Sequence, residues 1–529
     1  MARMIDAASL KGWIRDGREL AILDAREDGE FGRSHLFWAN ACGVSRMELR
    51  ARAILPRLST RVVCVDGGEG LAGRLADYLE SIGCTDVSVL QGGTPAWIAA
   101  GYTAFSGVNV PSKAFGEWVE HHYETPSVDP EELKAMMDAG TDMVILDSRP
   151  MEEFNRMSIP GAVDVPGGEL VYRIGEFVNR PETTVVVNCA GRTRSIMGAE
   201  SLRSAGIPNK VVALRNGTMG WELAGFTCDR GKTASFPQGT PKGAAEAFAR
   251  ADAFAKRHGV VFGTRADLAR WQADATRSTY VLDVRDPAEY AAGHMPGSRS
   301  APGGQLVQAT DQWVAVRHAR IVLVDDTGTR ARMTAGWLRQ LGGWEVMVLT
   351  DGLNGMLATG PWQPACPEAD AVKLPNLTPE ELAAESVKGG VQVIDLARSI
   401  DFRDGHIPGA HWAIRSRLDR LRGALAGARL VAIAAPDAAL ARLAAPEAAA
   451  LTGLPVFILE GGTKAWRAAG LPMEADRRNP ADADCADFYL RPYDRNDGVE
   501  AAMREYLSWE IDLVNEVAKD GDAPFGHWH

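Results

Sequence analysis

A cysteine followed by a short loop with two arginines, Cys189-Ala190-Gly191-Arg192-Thr193-Arg194-Ser195, is the part of this chain best equipped for covalent chemistry. A thiol is nucleophilic as its thiolate. That form is favoured by nearby cations, by converging backbone N–H groups and by the positive end of a helix. The residues around Cys189 predict all three. Val185-Val186-Val187-Asn188 reads as a buried strand, and residues 196–205 read as a helix closed by Gly206. Cys189 lies between them, with Arg192 and Arg194 beside it, and its thiolate is expected to be favoured.

The frame that positions this loop occurs four times. Each copy opens on a strand ending in an acid: Asp24-Ala25-Arg26, Asp147-Ser148-Arg149, Asp283-Val284-Arg285 and Asp395-Leu396-Ala397. Eleven residues after each Asp comes one slot, holding His35, Ser158, His294 and His406. In the last three copies it leads into a Pro-Gly turn. A second apolar strand follows at 62–65, 185–187, 321–324 and 430–434, then a helical stretch, then a third strand at 87–90, 211–214, 346–349 and 456–459. A glycine turn closes each copy, with Trp97, Trp221 and Trp466 in three of them. Asp147 and Arg149 belong to a motif shared by copies that lack a cysteine, so a structural ion pair is expected of them. Short apolar strands alternating with helices predict parallel sheets covered on both faces, with ligands outside the carboxyl ends of the strands. Cys189 is at such an end.

The units are placed at residues 1–110, 124–232, 258–365 and 376–475, with a helical tail over 476–529. Residues 108–126, with Trp118, His121, His122 and Tyr123, predict a helix bridging units one and two. Residues 231–259 turn from Lys, Pro, Gly and Ser to an alanine-rich helix and are expected to separate a front pair of units from a back pair. In the tail, Met503, Leu507, Ile511, Val514 and Val517 recur at helical spacing and predict a docking helix.

Together the Asp-x-Arg strands, the His-x-Pro-Gly turns, the strand–Cys–loop–helix segment and the closing Gly-Gly-x-x-x-Trp resemble the rhodanese family of sulfurtransferases, over about 400 residues. The resemblance implies an α/β fold of four tandem rhodanese-like domains. Each would be a small central, mostly parallel sheet flanked by helices on both faces, and a helical C-terminal tail would follow. It implies transfer of a sulfane sulfur from a donor such as thiosulfate to a thiophilic acceptor, cyanide or a thiol, through a persulfide on Cys189 and without a cofactor. Ala190, Gly191, Arg192, Thr193, Arg194 and Ser195 would bind the substrate, the two arginines meeting the sulfonate end of the dianion. A protein thiol is a further acceptor class. The cysteine slot falls on Asp66 in unit one and on Asp326 in unit three. In unit four, Ala432-Ile433-Ala434-Ala435-Pro436-Asp437 has no cysteine. Those three units are expected to be silent.

Composition narrows the alternatives. The 529 residues exceed one hydrophobic core, and the net charge of −12 argues against nucleic acid or an anionic membrane as partner. The opening MARMIDAASLKGWIRDG lacks the apolar core of a secretion signal, and no stretch approaches a membrane span. Seven scattered cysteines without a C-x-x-C pair predict a reducing, cytoplasmic setting and no zinc site. Cys42, Cys64, Cys84, Cys228, Cys366 and Cys485 read as inert, and His527-Trp528-His529 as an end segment rather than a metal site. Two rival functions stay open. A cysteine-dependent phosphatase or arsenate reductase of related fold needs Cys-x5-Arg, whereas here Ser195 is six residues on and the arginine falls at 194. A largely non-catalytic scaffold would use the silent units and the tail for partner binding, and the tail could also form a homodimer contact.

Overall fold

The computed structural model describes residues 2–526; His527-Trp528-His529 lie outside the described residues. Four sheets follow one another along the chain. The second has the order Ser127–Val128, Val211–Leu214, Thr184–Asn188, Met143–Asp147 and Val163–Asp164, all parallel. The third and fourth repeat this order around Arg320–Val324 and Leu430–Ala434. The first does so around Arg61–Val65 and gains a sixth strand. That strand, Val316–Arg317 of unit three, runs antiparallel against Leu20–Asp24, a pairing between units that sequence periodicity did not signal. Thr184–Asn188 is buried throughout. Its β-branched residues suit a strand covered on both faces, and the flanking helices supply that cover.

The helix bridging units one and two is present as Val110–Tyr123, and the alanine-rich helix as Ala244–Arg257. The second does not separate a front pair from a back pair. Phe254 meets the Trp337 ring of unit three at 5.2 Å, and the Trp337 indole N–H donates to Ser201 Oγ of unit two at 2.8 Å. Units two and three touch directly: a Cβ on Gly168 would lie 2.8 Å from the Gly304 nitrogen, so only glycines allow this approach. The buried Arg330 guanidinium crosses the same boundary to Glu169 at 2.8 Å. One apolar core runs through units one, two and three, while unit four has cores of its own and is tied to unit one by the Arg415–Glu48 pair at 2.7 Å. The arrangement is a cluster, because shape-matched apolar faces outside the linker found each other.

The repeated motifs acquire structural explanations. Asp147 and Arg149 form a buried two-point pair at 2.8 and 2.7 Å, repeated by Asp24–Arg26 and Asp283–Arg285. In unit four, which lacks the arginine, Asp395 instead accepts from Thr463 Oγ1 at 2.7 Å. His35, His294 and His406 stack on the aromatic rings of Phe31, Tyr290 and Phe402 at 4.0, 3.8 and 3.8 Å. All four slot residues make a backbone bridge to the end of their own unit, Ser158 to Asp229 included. The slot is thus a closure point, which a serine can serve through its backbone.

The tail helix is Val499–Asp520. Met503, Leu507 and Val517 face inward as expected, and Val514 is half-buried. Ile511 is exposed, and Leu513 takes the buried place. The stripe is wider than one strict period because the helix packs between several surfaces at once.

Candidate active site

Cys189 stands at the carboxyl end of Thr184–Asn188, and the following helix is Thr193–Ser204, three residues longer at its start than the sequence pattern suggests. The turn between them is therefore only four residues, Cys189 to Arg192. The first N–H groups of the helix have no acceptor within it, so they are free to serve a group at the loop centre. The closing turn braces the loop from behind. Thr218 N–H donates to the Cys189 carbonyl at 2.9 Å, and Met219 N–H to the Ala190 carbonyl at 3.0 Å. Gly217, at φ +56, passes so close that a Cβ would lie 2.3 Å from the Cys189 oxygen.

The cysteine is 2% exposed. Burial pushes its thiol up, and this outweighs Arg194 and Ser195, which both pull it down. The expected resting thiolate is therefore opposed by desolvation and, to a lesser degree, by Glu510 of the tail, influences the sequence pattern did not reveal. The Ser195 hydroxyl donates to Cys189 Sγ at 3.0 Å, so Ser195 acts through its side chain as well as its backbone. Replacing Ser195 by alanine should raise the thiol further, because the hydroxyl that supports the thiolate is lost. The pH dependence of alkylation at Cys189 checks this; an unshifted profile would remove Ser195 from thiolate support.

The two arginines are placed differently from the expectation. Arg192 is buried and bound by Glu117 at 2.8 and 2.7 Å and by Glu120, both from the bridging helix. Arg194 is bound by Glu153 at 2.9 and 2.7 Å. Burial alone would raise the Glu153 carboxyl, but Arg194 and Arg491 hold it down at about 2. Both loop cations border the site, yet their charges are already matched by carboxylates. Thr193 Oγ donates to Glu510 Oε1 of the tail at 2.7 Å, and Ala190 packs with Met219, Met503 and Leu507. Gly191 leaves room for Glu510 and Tyr506, whose atoms would lie 3.1 and 3.4 Å from a Cβ there.

A cavity of about 140 Å³ opens over the loop. Its walls include Asn109, just before the bridging helix, and Lys113 within it, Gln305 and Gln308 of unit three, and Arg491 and Tyr506 of the tail. None of these was legible as a site residue, because each comes from outside the unit that carries the cysteine. The one signal was positional: Glu510 interrupts the buried stripe of the tail helix between Leu507 and Leu513.

The three equivalent positions hold no thiol. Strand register pairs Asp147 with Asn188, Asp24 with Val65, Asp283 with Val324 and Asp395 with Ala434. The residue after each is Cys189, Asp66, Asp325 and Ala435. The slot in unit three is thus Asp325 rather than Asp326; two adjacent aspartates made the position ambiguous without the register. Asp66 accepts from the N–H groups of Gly68 and Ala72, each at 2.9 Å, and Asp325 from that of Ala331 at 3.1 Å. A fixed carboxylate there satisfies the loop donors that a reaction intermediate would otherwise use.

Comparison with known proteins agrees with this architecture. The family model described as rhodanese-like domain matches residues 6–100, 129–224 and 264–359, more than half of the chain, and the chain belongs to that family. The fourth sheet lies outside the matched segments. A solved structure of a thiosulfate sulfurtransferase from Pseudomonas aeruginosa superposes with a TM-score of 0.89 at 44% identity, covering 99% of each chain. Among curated proteins, a putative sulfur carrier protein, YrkF, from Bacillus subtilis (strain 168) is 30% identical over 102 residues, 19% of this chain and 54% of that protein. The HTH-type transcriptional regulator Rv0324 of Mycobacterium tuberculosis (strain ATCC 25618 / H37Rv) is 33% identical over 101 residues, 19% of this chain and 43% of that protein. The chain spans about half the length of these curated relatives.

Proposed function

We propose that this protein is a sulfurtransferase that takes a sulfane sulfur from thiosulfate onto Cys189 and passes it to a small thiophilic acceptor. The observation that carries the reading is that, of four equivalent strand ends, one bears a nucleophile, and a cavity opens over that one. The full-length likeness to a thiosulfate sulfurtransferase supports it. The Cys189 thiolate attacks the outer sulfur of thiosulfate. The new S–S bond forms as the sulfur–sulfur bond of the donor breaks, and sulfite leaves with the electron pair. The persulfide keeps one negative charge, which the N–H groups at the start of the Thr193–Ser204 helix stabilise, as an oxyanion hole does. In the second step the acceptor attacks the outer sulfur and restores the thiolate, a two-step covalent cycle.

Units one, three and four are non-catalytic in this reading, since a carboxylate or a methyl group cannot carry sulfur. A phosphatase would need a loop arginine directed at phosphate, whereas Arg194 is engaged by Glu153. Among the described residues no helix is long and apolar enough to cross a membrane. The test is incubation with thiosulfate followed by intact-protein mass measurement. A gain of one sulfur atom, removed again by cyanide with release of thiocyanate, is expected; a chain that gains no sulfur is not a thiosulfate sulfurtransferase.

A further inference from the structure

With Arg192 and Arg194 matched by carboxylates, the cavity needs another source of positive charge to receive a dianion. Lys113 is the first candidate. It is 5% exposed, it borders the cavity, and no carboxylate or other hydrogen-bond acceptor lies within bonding distance of its ammonium among the described residues. Its neighbours are the ring faces of Tyr506 and Trp509, at 5.0 and 4.8 Å. Rings hold a cation in place without consuming its hydrogen-bonding capacity. A buried ammonium left with unused donors is costly unless a ligand uses them.

Arg491 is the second candidate. It reaches Glu153 only at 3.8 Å and donates to the Tyr493 hydroxyl at 3.3 Å, while Glu153 is held more closely by Arg194. Most of the fork of Arg491 therefore remains available. The carboxylates on the cavity wall are Glu153 and Glu510, and the cations are Lys113, Arg192, Arg194 and Arg491. The wall carries a surplus of positive charge, and the two cations not closely paired come from the bridging helix and the tail.

We propose that Lys113 and Arg491 form the anion subsite of this protein, receiving the sulfonate oxygens of the donor while Cys189 attacks its outer sulfur. The inference rests on the sulfurtransferase reading and assigns donor recognition to parts of the chain outside the armed unit. The bridging helix and the tail then complete the site, besides covering it. Arg192 and Arg194 keep the loop in shape through Glu117, Glu120 and Glu153.

Lys113 adds a pH signature. Burial pulls its ammonium down to about 8. The charged groups that face it are Glu510 and Arg491 of the tail, Asp311 of unit three and Arg194 of the loop. As pH rises through about 8 the ammonium is lost, so KM for a dianionic donor should climb while an arginine in its place would stay charged.

The experiment uses the full chain, as wild type and as Lys113→Met, Lys113→Arg and Arg491→Gln. Sulfite release from thiosulfate is compared with sulfinate release from methanethiosulfonate, a monoanion with the same reactive sulfur, with cyanide as acceptor. Lys113→Met and Arg491→Gln should each raise KM for thiosulfate roughly tenfold, the scale of one charge-assisted contact, with a smaller change for methanethiosulfonate and little in kcat. Lys113→Arg should restore KM and flatten its rise above pH 8. A folded Lys113→Met protein with unchanged KM for thiosulfate overturns the proposal. Should that variant not fold, Arg491→Gln decides by the same criterion, since this side chain is partly exposed. A wild type that turns over neither donor overturns the sulfurtransferase reading itself, an outcome separate from wild-type turnover that the variants leave unaltered.

Discussion

Cys189→Ser protein should fold as the wild type does, gain no sulfur from thiosulfate and lose turnover by at least about 10³-fold, the scale for removing a covalent nucleophile. The exchange is nearly isosteric, and the new hydroxyl keeps Ser195 as a hydrogen-bond partner. Stability should therefore change by no more than about 1 kcal/mol. The other six cysteines offer no substitute. Cys64 lies inside the strand Arg61–Val65, where burial holds its thiol well up, and burial pushes Cys42 and Cys228 up to about 12. Cys84, Cys366 and Cys485 are raised for the same reason. None of the six borders the cavity over the loop. Intact mass after exposure to thiosulfate is the direct readout. A serine variant that still gains a sulfur atom would move the nucleophile elsewhere and undo the site described above.

What the sequence made legible was what is local. The strand before Cys189, the repeated Asp-x-Arg pairs and the closing glycine turns all follow from residues within one unit, and the sheets bear them out. The cysteine was placed by the same logic. What depended on distant chain was hidden. The pairing of Arg192 with Glu117 spans 75 positions and that of Thr193 with Glu510 spans 317, and no periodicity reports either. The consequence was chemical: two arginines that look available in a loop are engaged in the folded chain, and a lysine in an apparent linker helix has no carboxylate within bonding distance among the described residues. The slot at Asp325 rather than Asp326 was missed because adjacent aspartates are equivalent in a pattern and distinct in a register.

The units without a thiol at the equivalent strand end gain a physical role from the same geometry. Unit three supplies Gln305 and Gln308 to the cavity wall, and unit one anchors the bridging helix that carries Lys113. One cavity is thus walled by several surfaces of the chain.

Gly217→Ala should reduce kcat/KM at least about 10²-fold, because the closing turn sets the position of the cysteine and a displacement near 1 Å is that costly. The added Cβ would lie 2.3 Å from the Cys189 oxygen and 2.8 Å from that of Gly191, and φ of +56 adds about 1–2 kcal/mol of strain for an L side chain. Both atoms it meets are backbone, so relief requires the loop itself to shift, taking with it the N–H groups that face the persulfide. The repeat supplies its own controls. In unit one a Cβ on Gly93 would meet the Asp66 oxygen at 2.4 Å, and in unit four one on Gly462 would meet the Ala435 oxygen at 2.1 Å. The local clash is the same in all three places, so Gly93→Ala and Gly462→Ala should lower the melting temperature comparably. They should leave sulfur transfer close to wild type, since neither loop carries a thiol. Equal losses of activity in all three variants would mean that stability, not loop position, governs the rate. A Gly217→Ala protein with full activity would show that the closing turn does not set the cysteine.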